Sequence, residues 1–299
     1  MKRRNFLKKV FAGLSISPVL FGAEDSKDAS GRPDLVAVRN GEPADMFEQG
    51  IKELGGLEEY IEKGQSVLVK PNIGWAREVE TGADTHPELI GKIVEKCYQA
   101  GASEVKVFDH TCNNWEKCYR MSGIEEKASE AGATVVPANS EKYFEEVKIP
   151  GGKVLKTAKT HQVLLDSDVF INVPVIKHHG STQVTAAMKN LLGVVWDRRF
   201  YHRNGLHRCI ADFLLYRKPD LNIADGYRVT LDNGPNRARP EDIKKKQVQL
   251  ISEDPVALDT AAARLINRDP KSIDHIVYGD EEGLGEMDLS KVNIKRITI

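Results

Sequence analysis

The chain has 299 residues, of which 43 are Lys or Arg and 44 are Asp or Glu, so it is close to neutral. That length suits one large α/β domain or two small ones. The lack of a basic excess argues against nucleic acid or an anionic membrane as a partner, and no segment after residue 23 is apolar enough to span a bilayer.

Residues 2–8 read KRRNFLK: a pair of arginines, Arg3 and Arg4, one free position, then Phe6-Leu7-Lys8. An apolar run of 14 residues follows from Val10 to Ala23, broken by Pro18, with no acidic residue before Glu24. A charged start, a short apolar stretch and an exit make a secretory signal of the twin-arginine type, an address read by a receptor. The run falls short of the roughly 20 residues that cross a bilayer. The expectation is therefore a signal peptide over 1–23 and a single α/β domain over 24–299. The twin-arginine export machinery is the expected partner, and the folded protein is delivered to the periplasm. That route serves proteins that need a cofactor inserted before export or that fold faster than they are secreted, so a metal ion is a candidate cofactor. Setting aside Lys2, Arg3, Arg4, Lys8 and Lys9 leaves 38 basic against 44 acidic residues, a net charge of −6.

Along the rest of the chain, apolar strands alternate with helical patterns. Strands are predicted at Ser66–Lys70, Glu104–Asp109, Ala133–Pro137, Asp168–Pro174, Leu221–Asp225 and Gln247–Ser252. Helices are predicted near 44–63, 86–100, 122–131, 182–195, 207–217 and 255–267, with irregular chain at 138–165 and 226–246. The alternation indicates a doubly wound, mostly parallel sheet with helices on both faces. In helix 86–100, Leu89, Ile90, Ile93, Val94 and Cys97 form one face, Thr85 and Glu88 read as a capping box, and Gly101 ends it. Asp254 reads as an N-cap with Pro255 at the first helical position, and Asp259 lies one turn further on.

In an open parallel sheet, ligands bind beyond the carboxyl ends of the strands. Four strand ends here carry polar residues: Lys70-Pro71-Asn72, Asp109-His110, Lys177-His178-His179 and Asp225-Gly226. Lys70, Asn72 and Lys177 are candidate contacts to an anion, aided by the N-terminus of the helix that begins at His86. On the helix expected at 182–195, Thr182, Thr185 and Lys189 form a polar stripe, and Asn190 follows. Lys189 lies among apolar residues, so its charge needs a partner: a ligand anion, or an acid such as Asp225 or Asp259. Asp109, His110 and Asp225 are the candidate acid–base groups. His178, His179 and Cys112 are candidate metal ligands, although the tight helical spacing of a metalloprotease is absent. The four cysteines form neither a zinc knuckle nor a ferredoxin-type cluster motif, and an oxidising compartment permits a Cys112–Cys118 disulfide.

The segments VLVKPNIG, THPELIGKIVEKCYQAGASEVKVFDH, DVFINVPVIKHHGSTQVTAAMKNLLGVV, LNIADGY, NGP and SEDPVALDTAAARLIN occur in that order between residues 67 and 267. Together they resemble the domain-of-unknown-function family 362. Some members carry an appended ferredoxin-like segment with closely spaced cysteines, which this chain lacks. The resemblance implies the α/β fold and export, and supplies no established reaction. Two functions fit these readings. One is a periplasmic enzyme or cofactor-handling protein that binds a small anionic ligand, a metal, or both on the crest. The other is a non-catalytic accessory factor that delivers a cofactor to a periplasmic redox enzyme.

Overall fold

Runs of Val, Leu, Ile and Phe without a polar face, such as those at 67–69 and 169–171, suit strands buried on both sides. The structure, a computed structural model, describes residues 31–235 and 237–299. The twin-arginine segment lies outside the described residues.

The first described elements are β1 (Leu35–Arg39), α1 (Pro43–Lys52), β2 (Ser66–Pro71), α2 (Pro87–Gln99) and β3 (Glu104–Val107). Next come α3 (Trp115–Met121), α4 (Ile124–Glu130), β4 (Thr134–Val135), β5 (Phe144–Lys148), β6 (Thr157–His161) and α5 (Gln162–Asp166). The central segment holds β7 (Val169–Val173), β8 (Val175–His179), β9 (Gln183–Thr185), α6 (Ala187–Asn190), α7 (Arg198–Asn204) and α8 (Leu206–Leu214). The last are β10 (Leu221–Thr230), β11 (Ile243–Ser252), α9 (Pro255–Leu265), α10 (Asp274–Glu281) and β12 (Ile294–Thr298).

One sheet runs in the order β12-β1-β11-β10-β7-β2-β3-β4, with β8 paired to β10 and β9 to β8. The pairs β2–β3, β2–β7, β3–β4, β7–β10, β8–β10 and β1–β12 are parallel. The fold is thus α/β with a mostly parallel sheet. Side-chain alternation divides the core in two. Val67, Val69, Ile171 and Ile223 pack with Leu89, Ile90 and Ile93 of α2 on one face. Leu68, Phe170 and Ala224 pack with Ile210 and Phe213 of α8 and Leu258 of α9 on the other.

Besides elements the sequence did not predict (β1, β8, β12, α3, α7 and α10), four departures from expectation bear on the site. First, the strand expected at 247–252 extends back to Ile243 and runs antiparallel to both β1 and β10. The parallel pattern therefore breaks on that side of the sheet. Second, residues 138–165 include the antiparallel hairpin of β5 and β6, whose alternating polar side chains mask its strand character. Third, α2 is capped differently. His86 is the N-cap residue and makes no side-chain cap, while Thr85 donates its hydroxyl to the Val173 carbonyl at 2.7 Å. Fourth, the helix expected over 182–195 does not form. Its first residues become β9, paired with β8, and its remainder is the short α6 and a 3-10 turn at Leu191–Val194. Gln183, at φ 61°, makes the break. The i, i+3, i+7 stripe through Thr182, Thr185 and Lys189 is therefore not a helical face.

A buried carboxylate ties the hairpin region to α8. Asp212 accepts from the amides of Val154 and Leu155 at 2.7 and 2.9 Å and pairs with Arg208 at 2.8 Å. Burial alone would raise this carboxyl, but the Leu155 and Val154 amides and Arg208 outweigh it and hold it below the ordinary value. An acid lowered on folding stabilises the fold above its unfolded pKa, and that gain is lost as pH falls. Asp212→Ala is expected to cost about 3–5 kcal/mol at neutral pH, because it strands buried partners. Urea unfolding should show this loss at pH 7 and a shrinking gap between variant and parent as pH drops below about 4.

Candidate functional site

The strand ends β2, β3 and β8, with the segment 185–202, enclose a cleft of about 540 Å³. Its floor is built from Lys70 and Asp109. Lys70 closes β2 with its side chain fully buried, and its ammonium lies 2.8 Å from the Asp109 carboxylate and 2.8 Å from the Pro71 carbonyl. Burial pulls the ammonium below the ordinary lysine range, and Asp109 pulls the other way. The second Asp109 oxygen accepts from the Ile73 amide at 2.7 Å. Gly193 roofs the pair. A Cβ there would sit 1.8 Å from the Asp109 carboxylate and 2.6 Å from the Lys70 nitrogen, so only glycine fits without breaking it.

Above this floor runs a ladder of amides. Asn72 donates to the Asn190 oxygen at 2.7 Å, Asn190 donates to Asn172 at 2.9 Å, and Asn172 donates to Asn222 at 2.9 Å. Lys177 donates to Asn72 at 2.7 Å and to the Ala83 carbonyl. Burial lowers the Lys177 ammonium, countered by Asp84. The Asp84 carboxyl is pushed up to about 7 by burial against the Lys177 charge, and its Oδ2 is buried without a hydrogen-bond partner among the described residues.

The walls carry positive charge and imidazole. Lys177, Lys189, Arg198 and Arg199 line the cleft against one carboxylate, Asp109, which already faces Lys70. Arg198 is held by backbone, donating to the His110 and Thr111 carbonyls at 2.8 and 2.7 Å and to the Cys112 sulfur at 3.3 Å. The Lys189 ammonium has no ion pair or hydrogen bond among the described residues. Burial pulls its ammonium down to about 8, with Arg198, Lys177 and Lys70 adding to the fall and Cys112 opposing it. The acids expected as its alternatives are engaged elsewhere. Asp259 accepts from the Ala187 and Met188 amides at 2.5 and 3.2 Å. Asp225 accepts from the His86 and Tyr227 amides at 2.8 and 2.9 Å.

Two histidines have fixed tautomers. The Nδ1 of His110 faces the Val195 carbonyl at 2.9 Å and must carry the proton, so its Nε2 is the acceptor. Its ring stacks on Trp196 at 4.9 Å, and burial with the Arg198 charge brings its pKa to about 4. His179 is the reverse: its Nδ1 accepts from the Ser181 amide at 3.1 Å, leaving Nε2–H as a donor. Burial and the Lys189 charge bring it to about 3.

The structure therefore gathers Asn72, Asp109, His110, Cys112, Lys177, His179, Lys189 and Asn190 around one cleft, with Lys70 directly beneath. Three candidates fall elsewhere. Alternation along β8 sends His178 to the opposite side, where its Nδ1 accepts from the Gly234 amide at 3.2 Å. Thr182 is buried and donates to the Val184 carbonyl at 3.0 Å, and Thr185 lines the cleft instead. Asp225 caps the start of α2, so the helix end expected to attract an anion is already met by the protein's own carboxylate. Among the described residues no three His, Cys, Asp or Glu side chains converge as a metal-ligand set. The trio His178, His179 and Cys112 does not assemble. Cys112 and Cys118 are both free thiols, with Cys118 buried.

Sequence reasoning missed Arg198, Arg199 and Gly193. The signal for α7 was present: Asp197 caps it, accepting from the Phe200 amide at 3.1 Å. Nothing local announced that its first turn would face Asp109. A second cleft of about 850 Å³ adjoins the first, shares His110, Arg198 and Arg199 with it, and is floored by β6 and Trp196.

Lys189 offers a test of this charge balance. Its ammonium sits at about 8 against an ordinary 10.5, so folding disfavours its charge. The penalty is full below about pH 8 and gone above about 10.5. Lys189→Met is expected to equal or exceed the parent in stability at pH 7, with the gap closing between pH 8 and 10.5. Urea unfolding across that range checks it. A loss of about 3–5 kcal/mol would instead mark a hidden buried ion pair.

Comparison with known proteins places this site in context. A thylakoid-associated protein of Synechocystis sp. is 22% identical over 242 residues, covering 78% of this chain and 73% of that protein. The lactate racemase apoprotein of Thermoanaerobacterium thermosaccharolyticum superposes with a TM-score of 0.43 and 13% identity over 73% of this chain, which spans 54% of that one. Among the described residues no helix is long and apolar enough to cross a membrane. The family described as a domain of unknown function, DUF362, matches residues 67–264, a stretch that contains every lining residue of the cleft, and the chain belongs to that family.

Proposed function

We propose that this protein binds a small anion, bearing carboxylate or phosphate groups, in the cleft beyond β2, β3 and β8. One observation carries the reading. Four cationic side chains line the cleft, its one carboxylate is matched by Lys70, and Lys189 has no partner among the described residues. Unmatched charges held close together in a partly dry cleft repel one another, and an anion relieves that cost. The Nε2–H of His179 adds a neutral donor, and the Nε2 of His110 adds an acceptor at the border of the two clefts.

The measurement is thermal unfolding with phosphate and with mono-, di- and tricarboxylates. A bound anion at a hundredfold excess over Kd contributes about 2.7 kcal/mol. In a chain of this size that corresponds to a rise in Tm of roughly 4–5 °C. Lys189→Met and Arg199→Gln should each shrink the rise. If no anion moves Tm in the parent protein, the reading fails.

We further propose that the protein works in the periplasm after folded export by the twin-arginine route, which Arg3-Arg4 and the apolar run to Ala23 support. The receptor reads paired guanidinium groups, whose planar geometry lysine does not reproduce. Replacing both Arg3 and Arg4 with Lys should retain the protein in the cytoplasm, as fractionation would show. Undiminished periplasmic delivery of the double variant would reject the route.

A further inference from the structure

We propose that Lys189 is an amine nucleophile that forms an imine with the carbonyl carbon of a small oxo acid held in the cleft. This rests on the anion-binding reading and names its ligand class. Other amines of the site are committed. Lys70 faces Asp109 and the Pro71 carbonyl, and Lys177 holds Asn72 and the Ala83 carbonyl. Lys189 alone among these lysines reaches the cleft with neither carboxylate nor carbonyl to bind its hydrogens. Its backbone is clamped on both sides. The Met188 amide before it is held by Asp259, and the Asn190 side chain after it is locked into the amide ladder. A fixed stem and an uncommitted amine suit a nucleophile better than a packing residue.

The surroundings favour the unprotonated amine that such a step needs. Burial disfavours its proton first, and Arg198, Lys177 and Lys70 repel it, together outweighing the opposing pull of Cys112. The same cations attract a carboxylate, so the ligand that satisfies both demands carries a carboxylate beside an electrophilic carbonyl. In the reaction the nitrogen lone pair adds to the carbonyl carbon, the two amine protons pass to the carbonyl oxygen, and that oxygen leaves as water. The product is a carbon–nitrogen double bond, with no oxidant or reductant required. His202, which lines the cleft and senses the Lys189 charge, is the group placed to carry those protons, and the Nε2–H of His179 is a donor to the carbonyl oxygen.

The test incubates the full chain with pyruvate, glyoxylate or 2-oxoglutarate and adds borohydride, which delivers hydride to the imine carbon and fixes a secondary amine. Peptide mapping by mass spectrometry then locates the adduct. The expected result is labelling of Lys189 at roughly tenfold or more over exposed lysines, reflecting its larger fraction of free amine near neutral pH. In Lys189→Arg, shown folded by circular dichroism, the adduct should vanish. Labelling confined to exposed lysines, while the oxo acids still raise Tm, would overturn the imine and leave anion binding standing. No adduct and no shift of Tm by any anion would overturn both.

Discussion

A lysine and an aspartate, both buried, face each other at 2.8 Å beneath a glycine, and the cleft is organised around them. Lys70 comes from the end of β2, Asp109 from the turn after β3, and Gly193 from the turn that follows α6. Two buried charges repay their desolvation only when paired closely and satisfied further. Here the remaining Asp109 oxygen takes the Ile73 amide, and the Lys70 ammonium takes the Pro71 carbonyl. The His110 amide donates to the Gly193 carbonyl at 2.9 Å, which fixes the glycine over the pair. The arrangement leaves no room for a side chain at 193, so the approach of that turn to the sheet edge and the survival of the ion pair are one constraint.

The amide ladder extends this constraint sideways. Asn72, Asn190, Asn172 and Asn222 come from four separate stretches of chain, and each gives a hydrogen to the next group in line. Buried amides are costly when unmatched, so a continuous ladder sets the height of α6 against the sheet. From the far side Asp259 holds the first amides of α6. The result is a four-residue helix, too short to be stable alone, held rigidly by tertiary bonds. Lys189 rides on it. Its position in the cleft is a product of the ladder and Asp259 rather than of helical periodicity.

The charge of the cleft follows from the same geometry. Asp225 and Asp259, the acids expected beside Lys189, are spent on amides of α2 and α6. The Lys189 ammonium is left facing the open space. A chain of net charge −1 thus carries a locally cationic cleft, which net charge alone would not suggest.

Much of this was legible in the sequence. Apolar runs buried on both faces require a sheet covered twice, and the turn from each run into Lys70-Pro71-Asn72, Asp109-His110 or Lys177-His178-His179 marks the edge where polar groups collect. Those signals are local, because strand burial and strand termination depend on a few consecutive residues. Other features were not legible. The reversal of β11, the break at Gln183 and the capping of α2 by Asp225 all depend on partners far along the chain, and the same polar letters serve equally for a cap, a ladder or a ligand contact. His178 and His179 show the difference most simply. Sequence made them equivalent neighbours, and the pleat of β8 sent one into the cleft and the other to Gly234. The sequence by itself determined the layers of the fold and which strand ends carry chemistry, because hydrophobic pattern acts along the chain. Only the tertiary structure decided which charges are matched and which stand free, because matching is settled across space by distances that no spacing in the chain encodes.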